Sequence, residues 1–286
     1  MKKKYLTLRI IRPSGREGQE ILLTELIESL RNKGHDIRVD DHPFDETTPW
    51  VSGNITNRRQ ELIAAVEESD TDAILCAKGG YGCSDLLPTL PWDDWVHLPP
   101  KIIIGFSDIT ALLAAFHTKL GWESLHGPMP ATKLWTQGAW ECLQNILTQD
   151  DSEHTLPLAS YNQTPLQSLN GKLIGGCLSV LSCLIGTPWI SSLNRSFLFL
   201  EDINENPGQI MRNWNQITQS EIFTGVQGII LGDFIGTEID FKPYFTQNLD
   251  IPVWTTEFIG HHKKNLHIGF GTKATIAHNT LRWRIT

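Results

Sequence analysis

A short segment around Ser107 constrains the fold of this chain more than any other part of its sequence. Residues 102–104 are three consecutive isoleucines, which predict a β-strand buried on both faces. Apolar residues then recur at the spacing of one helix face, at Ile109, Leu112, Leu113 and Phe116. Because only residues 105–108 lie between the two patterns, the chain has to turn sharply from a strand into a helix. Ser107 is therefore expected at the end of a buried strand in an α/β fold.

A turn of this kind exposes the side chain at its apex. The backbone N–H groups at the start of the helix are then free to bind an oxyanion, so Ser107 is a candidate nucleophile. The alternative is that Ser107 only caps the helix, since serine and aspartate are favoured at that position. The pattern is also looser than Gly-x-Ser-x-Gly, because Ile109 occupies the place of the second glycine. The segment by itself leaves both interpretations open.

The first half of the chain alternates predicted strands and helices. Strands are predicted over residues 5–11, 36–39, 73–77, 102–104 and 123–126, and helices over residues 19–33, 56–69, 109–116 and 135–148. A repeated βα pattern predicts a mostly parallel sheet with helices on both faces. Chemistry in such sheets collects at the carboxyl ends of the strands, where both the Gly79-Gly80 loop and Ser107 are expected.

A polar stretch around residues 149–164 interrupts this pattern. We interpret it as an interdomain connection, with an N-terminal α/β domain over 1–150, a linker over 151–164 and a C-terminal domain over 165–286. The second half is rich in predicted strands, over residues 172–174, 196–200, 228–231, 252–255, 274–277 and 281–285, with helices over 178–184 and 210–220. The C-terminal domain is thus expected to be smaller, β-rich and of the α+β type.

Composition and charge exclude several classes of function. The chain has 286 residues and a net charge of −8, which gives no electrostatic footprint for nucleic acid. No apolar run reaches the length of a membrane span. Five cysteines without a Cys-x-x-Cys pair are expected to be reduced thiols in a cytoplasmic protein. The histidines at 261, 262 and 267 lack metal-site spacing and lie next to two lysines, so we expect neither a metal nor another cofactor.

A serine nucleophile needs a base and a group that orients the base, and the second half of the chain supplies candidates. Glu201 follows the apolar residues 197–200, where a predicted strand ends. His261 and His262 follow Gly260 in a predicted loop. The order serine, acid, histidine is that of other α/β hydrolases, although each residue could also have a purely structural role.

Taken together, the motifs resemble those of the serine LD-carboxypeptidase family, which includes murein tetrapeptide carboxypeptidases and microcin-immunity peptidases. The resemblance runs from about residue 58 to residue 271. The motifs that carry it, in chain order, are Lys78-Gly-Gly-Tyr-Gly82, Ile104-Gly-Phe-Ser-Asp-Ile-Thr-Ala-Leu112, His126-Gly-Pro128, Gly171-Lys-Leu-Ile-Gly-Gly176, Gly186-Thr-Pro188, Leu198-Phe-Leu-Glu-Asp202 and Gly260-His261.

The resemblance implies a flavodoxin-like N-terminal domain, with the active site in the cleft between the two domains. It implies that Ser107 is the nucleophile, Glu201 the acidic partner and His261, rather than His262, the general base. The oxyanion hole would be formed by the backbone N–H groups of Asp108 and of Gly79 or Gly80. Substrate binding would involve residues of the same glycine turn, Lys78 and Tyr81.

Two positions depart from the family pattern. Lys78 stands where the family has arginine, so the positive charge is kept but not the two-pronged geometry of a guanidinium. Residues 208–212 replace a Tyr-Arg-x-Asp-Arg-like run, of which only Arg212 remains. Both departures bear on the identity of the substrate more than on the type of reaction.

The sequence and the resemblance together predict a cytoplasmic serine peptidase that hydrolyses an amide next to a free carboxylate. For a member of this family, the resemblance implies the release of the terminal D-alanine from a murein tetrapeptide. One alternative is a microcin-immunity-like peptidase that cleaves an aminoacyl-nucleotide analogue, and another is a binding protein that has lost catalysis. The expected partners are a small peptide substrate and a second copy of the chain, with no nucleic acid and no membrane.

Overall fold

The computed structural model describes residues 5–16, 20–40, 47–149, 152–163, 165, 167–247 and 249–286. Residue 19, where the first helix was expected to begin, lies outside these ranges. So do residues 150, 151 and 164, on which the expected domain boundaries fall. Within the described ranges, no helix combines the length and apolar character needed to cross a membrane.

The first half of the chain forms a mostly parallel sheet, as its βα pattern predicts. Its strands are β1 (Thr7–Ile11), β2 (Asp36–Arg38), β3 (Ala73–Cys76), β4 (Ile102–Gly105) and β5 (Ser124–His126). They lie in the order β2-β1-β3-β4-β5 and all pair in parallel. This is the flavodoxin-like order, in which ligands bind at the carboxyl ends of the strands. The isoleucines of β4 are buried or nearly so, as expected for a central strand.

One or two helices follow each of these strands along the chain. They are α1 (Glu20–Asn32), α2 (Ile55–Glu67), α3 (Cys83–Leu86), α4 (Trp92–Trp95), α5 (Thr110–Leu120) and α6 (Gln137–Thr148). The short helices α3 and α4 were not predicted, because four residues are too few to show a periodic pattern. Helix α6 begins at Gln137 rather than at residue 135, since the Thr136 side chain accepts a hydrogen bond from the N–H of Ala139 and caps the helix.

The second half builds a larger mixed sheet. Its strands are β6 (His154–Pro157), β7 (Ala159–Ser160), β8 (Leu169–Cys177), β9 (Ser196–Ile203), β10 (Gly228–Ile235), β11 (Val253–Thr255), β13 (Lys273–Ala277) and β14 (Thr280–Trp283). The order is β6-β14-β13-β8-β9-β10-β11-β7, with β8 to β11 parallel and the outer strands antiparallel. Strands β6 and β7 come from the polar stretch that we interpret as the connection between domains.

Helices α7 (Leu178–Leu184), α8 (Pro207–Thr218) and α9 (Lys242–Thr246) accompany this sheet. Helix α7 has the predicted bounds, whereas α8 begins three residues earlier than predicted. Asn206 and Gln209 form a capping box at its start, and Pro207 occupies the first helical position. The segment that departs from the family pattern is therefore the first turn and a half of this helix.

The two sheets are joined by direct contacts. Strand β12 (Ile268–Phe270), which the sequence pattern did not reveal, leaves the second half of the chain and pairs antiparallel with β5 of the first sheet. The chain then returns to the second sheet, where the N–H of Leu173 donates to the carbonyl of Thr272. This crossover pairs β5, including His126 at its end, with a strand that follows β11 in the chain.

Candidate functional site

Ser107 occupies a strained turn at the carboxyl end of β4. A single turn of 3₁₀-helix, Ser107–Ile109, leads directly into α5. The φ angle of Ser107 is 62°, in the left-handed region that non-glycine residues seldom adopt. Such strain costs on the order of 1–3 kcal/mol and is concentrated at functional sites. The residue before the 3₁₀-helix is Phe106, and no side chain caps its start, so the alternative that Ser107 is only a helix cap is wrong.

The glycine turn at residues 78–82 lies against this serine. A Cβ atom built on Gly79 would be 2.9 Å from Ser107 Cβ, 3.1 Å from its Oγ and 3.4 Å from the backbone nitrogen of Asp108. Gly80 has a φ angle of 126°, which a side chain would hardly allow. A side chain at position 79 would therefore collide with the serine, so Gly79 permits the turn to pack against Ser107. A Cβ atom on Gly80 would instead lie 3.0 Å from Gly15 Cα.

The buried carboxylate of Glu201 is paired with His261, whose side chain is 12% exposed. The Glu201 Oε2 atom lies 2.6 Å from His261 Nδ1, and the Glu201 side chain is fully buried. This is the contact that we expected between the two residues. The predicted end of the strand at residue 200 is wrong, however, because β9 continues through Glu201 to Ile203. The charged side chain does not end the strand, since a histidine from another loop is its partner.

The neighbouring histidine has a different partner. His262 Nε2 lies 2.8 Å from Asp233 Oδ2, and its Nδ1 accepts a hydrogen bond from the N–H of Lys264. Gly260, with a φ angle of 135°, sets the direction of the chain at this point. The two adjacent imidazoles thus face two different carboxylates, and only His261 faces the buried one.

Helix α5 links the serine to this pair. Thr110 Oγ1, three positions after Ser107, accepts a hydrogen bond of 3.2 Å from the N–H of Cys177. Cys177 is the residue opposite Glu201 in the β8–β9 register. The ring of Phe106 lies 4.6 Å, centroid to centroid, from the ring of His261. Residues on both sides of Ser107 therefore contact the surroundings of the Glu201–His261 pair.

A catalytic triad predicts a hydrogen bond between Ser107 Oγ and the His261 ring, and the described residues do not make this bond. Catalytic hydrogen bonds are often long in proteins without substrate and shorten when a substrate binds. The close approach of Ser107 Oγ to the His261 ring thus stays a prediction.

The two residues expected to bind substrate lie at the rim of the glycine turn. Lys78 Nζ donates a 3.0 Å hydrogen bond to the carbonyl of Arg16. Tyr81 is 53 % exposed, and its hydroxyl donates to Asp85 Oδ1 at 3.0 Å. The ammonium group of Lys78 has further donors for a ligand. Their role in binding stays a prediction.

Sequence reasoning gave no role to three further features around the site. His126 lies behind Phe106, with ring centroids 5.8 Å apart, and is fully buried with neither ring nitrogen hydrogen bonded to a described residue. Burial, together with the charge of His261, lowers the pKa of His126 to about 3, so its ring is neutral. The sequence pattern also assigned no role to the side chains of Asp108 and Thr110, which lie one and three positions after Ser107.

The cysteine near the pair is not a rival nucleophile. Cys177 is buried, and this burial, together with the charges of Glu201 and Asp202, raises the pKa of its thiol well above the ordinary value. A thiol that stays protonated is a poor nucleophile. Within the ranges that the structure describes, no three histidine, cysteine or acidic residues are grouped as metal ligands would be.

Comparison with known proteins gives a consistent result in both halves of the chain. Residues 8–127 match the family model of the LD-carboxypeptidase N-terminal domain, and residues 170–276 match that of the C-terminal domain. A murein tetrapeptide carboxypeptidase of Pseudomonas aeruginosa is 32% identical over 82% of this chain and 81% of its own. The microcin C7 self-immunity protein MccF of Escherichia coli is 29% identical over 87% of this chain and 83% of its own.

The fold is also that of a solved structure. The crystal structure of muramoyltetrapeptide carboxypeptidase from Oxalobacter formigenes superimposes with a TM-score of 0.81. The match covers 98% of this chain and 100% of the other, at 24% sequence identity. At that identity the likeness shows the shared fold alone.

Proposed function

Because the chain belongs to the LD-carboxypeptidase family, we propose that Ser107, His261 and Glu201 are the catalytic triad of a serine peptidase. The observation that carries this proposal is the 2.6 Å contact between His261 and the buried carboxylate of Glu201. A carboxylate in that position holds the imidazole in one orientation and stabilises its protonated form. The strained turn at Ser107 and the Phe106–His261 contact support the placement of the nucleophile beside this pair.

The proposed reaction proceeds in two steps. Ser107 Oγ attacks the carbonyl carbon, and His261 Nε2 takes the hydroxyl proton while Nδ1–H donates to Glu201. The amide C–N bond then breaks as His261 returns the proton to the leaving amine, which leaves an acyl-enzyme on Ser107. A water molecule, deprotonated by His261, attacks the ester, and its proton restores the Ser107 hydroxyl. The reaction needs no metal and no cofactor.

The oxyanion would be bound by backbone N–H groups on two segments. Asp108 follows the nucleophile at the start of the 3₁₀-helix, and Gly79 and Gly80 lie on the turn packed against it. Donors that are already in place stabilise the charge that develops on the carbonyl oxygen, and the loss of one typically costs about 3–4 kcal/mol of that stabilisation. The closeness of Gly79 to Ser107 supports this assignment.

The proposed substrate is a murein tetrapeptide, from which the terminal D-alanine would be released. The relative from Pseudomonas aeruginosa carries this activity in its name and is similar over most of both chains. A terminal residue of this kind has a free carboxylate, which the ammonium group of Lys78 on the glycine turn would attract. Tyr81 of the same turn is the second residue proposed to bind the substrate. The similarity to the microcin self-immunity protein favours a second candidate, the cleavage of an aminoacyl-nucleotide analogue.

The test is a direct assay of both substrate types with purified protein. We expect release of D-alanine from murein tetrapeptide and covalent labelling by a fluorophosphonate, both abolished by Ser107→Ala. Ser191→Ala, at an exposed serine, is the matched control and should retain both activities. If the protein cleaves only the nucleotide analogue, the aminoacyl-nucleotide analogue and not the murein tetrapeptide is its substrate. The proposal would be overturned if wild-type protein cleaved neither the murein tetrapeptide nor the nucleotide analogue and was not labelled by the fluorophosphonate.

We also propose a cytoplasmic location and a homodimer. All five cysteines are free, which supports a reducing compartment. The dimer follows from the family resemblance, and light scattering during size-exclusion chromatography tests it: a mass of one chain would overturn it.

A further inference from the structure

One peptide group behind the glycine turn is held at both of its ends by charged side chains. The carbonyl of Gly82 accepts a hydrogen bond of 2.8 Å from Arg58 Nη1. The N–H of Cys83, on the other side of the same peptide bond, donates to Asp108 Oδ2 at 2.9 Å. Because the peptide group is planar, these two bonds fix its orientation and therefore the direction of the chain at the end of the turn.

The same two side chains also hold the loop next to the turn. Arg58 Nη1 donates to the carbonyl of Pro13 at 2.9 Å, and the Ser14 hydroxyl donates to Asp108 Oδ2 at 2.5 Å. The loop is in turn bonded to the glycine turn, since the N–H of Gly15 donates to the carbonyl of Gly79 at 3.2 Å. Arg58 thus binds carbonyl groups of both segments, and Asp108 accepts donors from both.

Both charges are buried, which makes a role in general packing a poor explanation. Arg58 is 2% exposed and Asp108 is 5% exposed. Burial of a charge costs free energy that an apolar side chain would not lose. Arg58 makes a third hydrogen bond to the carbonyl of Gly53 at 3.2 Å, while its distance to the nearby Asp85 carboxylate is 3.7 Å. Its bonds therefore go to backbone carbonyls in three directions, a geometry that the planar guanidinium fits and a lysine does not.

We propose that Arg58 and the side chain of Asp108 are positioning residues that hold the glycine turn against Ser107. Neither side chain touches the reacting atoms in this proposal. They act through the backbone, by keeping the N–H groups of Gly79 and Gly80 directed at the oxyanion. The inference rests on the proposed oxyanion role of these groups.

The test compares two adjacent arginines of α2. Arg58→Lys keeps the charge but cannot reach three carbonyls. Arg59→Lys is the matched control, because Arg59 Nε donates to the carbonyl of Thr89, away from the turn. We expect Arg58→Lys to lower kcat and the rate of fluorophosphonate labelling of Ser107 by roughly 10- to 100-fold, with KM nearly unchanged. Arg59→Lys should leave all three near their wild-type values.

A second variant keeps the test decisive if Arg58→Lys does not fold, which thermal unfolding will show. Ser14→Ala removes one donor from Asp108 and should slow labelling by roughly 3- to 10-fold. Because both residues hold the same turn, the double variant should show less than the product of the two single effects.

The outcomes separate this inference from the proposed function. If wild-type protein is labelled at Ser107 and both variants react as fast as Arg59→Lys, the positioning role is overturned and the triad stands. If wild-type protein is neither labelled nor active, the proposed function and this inference are overturned together. A rate loss in both variants with an unchanged unfolding temperature supports the inference.

Discussion

Glu201 Oε2 and His261 Nδ1 lie 2.6 Å apart, although the two residues are 60 positions apart in the chain. The carboxylate is fully buried, so its charge is screened little by solvent. The next residue, His262, forms a second pair, in which His262 Nε2 lies 2.8 Å from Asp233 Oδ2. In this pair the carboxylate side chain is 46% exposed. Two adjacent imidazoles with two carboxylates of different burial give an internal comparison within one loop.

The first prediction uses this comparison. Glu201→Gln keeps the shape of the side chain but removes the charge that stabilises a protonated His261, so kcat should fall by about 10³–10⁴-fold. Asp233→Asn makes the same change on the neighbouring pair and should leave kcat close to the wild-type value. Steady-state kinetics on murein tetrapeptide measures both. Equal losses in the two variants would contradict the assignment of His261 as the base.

Gly79 gives a second prediction. In Gly79→Ala the new Cβ atom would lie 2.9 Å from Ser107 Cβ, so either the turn or the serine has to move. A displacement of about 1 Å in an active site can cost about 100-fold in rate, and we expect a loss of that size in kcat. Gly138→Ala in α6 is the control, because the nearest atom to its Cβ is Thr136 Oγ1 at 3.9 Å.

The control variant should gain stability rather than lose activity. Alanine in a helix is favoured over glycine by roughly 0.5–1 kcal/mol, so Gly138→Ala should unfold at a higher urea concentration. An active Gly79→Ala enzyme would mean that the turn is not packed against the nucleophile in solution.

The third prediction concerns pH and His126. Burial and the charge of His261 lower the pKa of His126 to about 3, whereas an unfolded chain binds this proton below about pH 6.5. Between these values the unfolded state holds more protons, so the free energy of unfolding decreases as the pH falls. One histidine accounts for about 1.4 kcal/mol per pH unit of this decrease. His126→Phe should remove that share, as measured by urea unfolding at pH 7, 6 and 5.

Glu61 is expected to change the free energy of unfolding with pH in the opposite direction to His126, and the same experiment tests it. Burial raises the pKa of Glu61 to about 7, so between pH 7 and 4.5 the folded state holds a proton that the unfolded chain releases. Its contribution to stability is therefore present at low pH and lost as the pH rises. Glu61→Gln should steepen the loss of stability on acidification. Curves parallel to that of the wild type for both variants would contradict these two pKa shifts.

The fourth prediction tests Lys78. If its ammonium group binds the substrate carboxylate, Lys78→Met should raise KM by roughly 10- to 100-fold, the effect of one charge-assisted hydrogen bond, and leave kcat nearly unchanged. Lys119→Met is the control, because it removes the same charge from a lysine that is not on the glycine turn. Lys119 Nζ lies 5.0 Å from the centroid of the Trp189 ring. An unchanged KM would show that Lys78 only holds the carbonyl of Arg16.

Much of the first sheet could be predicted because its signals are local. The three isoleucines of β4 are consecutive, and the apolar residues of α5 recur within a few positions of each other. Both elements can therefore be identified from a short stretch of sequence. Short elements without a periodic pattern, such as α3, α4 and β12, could not be predicted in this way. Strand β12 exists because β5 offers it an open edge, which the sequence around residues 268–270 does not encode by itself.

Strand β9 shows why a local pattern can mislead. Two acidic residues after an apolar run indicate the end of a strand, since a buried carboxylate without a partner is costly. In the structure Glu201 has a partner in His261, and Asp202 accepts hydrogen bonds from the N–H groups of Ser179 and Ile203. His261 and Ser179 come from elsewhere in the chain, and these distant partners allow the strand to continue through Glu201 and Asp202.

The sequence by itself determined that a sharp turn places Ser107 at the end of a buried strand, because hydrophobic periodicity and turn length act within a few residues. The sequence also supplied Glu201 and His261 as the candidate acid and base, but it did not show that the two side chains are in contact. The motif resemblance pointed to His261, but only the tertiary structure shows that His261 contacts Glu201 while His262 lies against Asp233. Only the tertiary structure also shows that Arg58 and Asp108 hydrogen bond to the peptide group at the end of the glycine turn. These contacts join residues far apart in the chain, and their geometry depends on how the two sheets pack, which no local pattern contains.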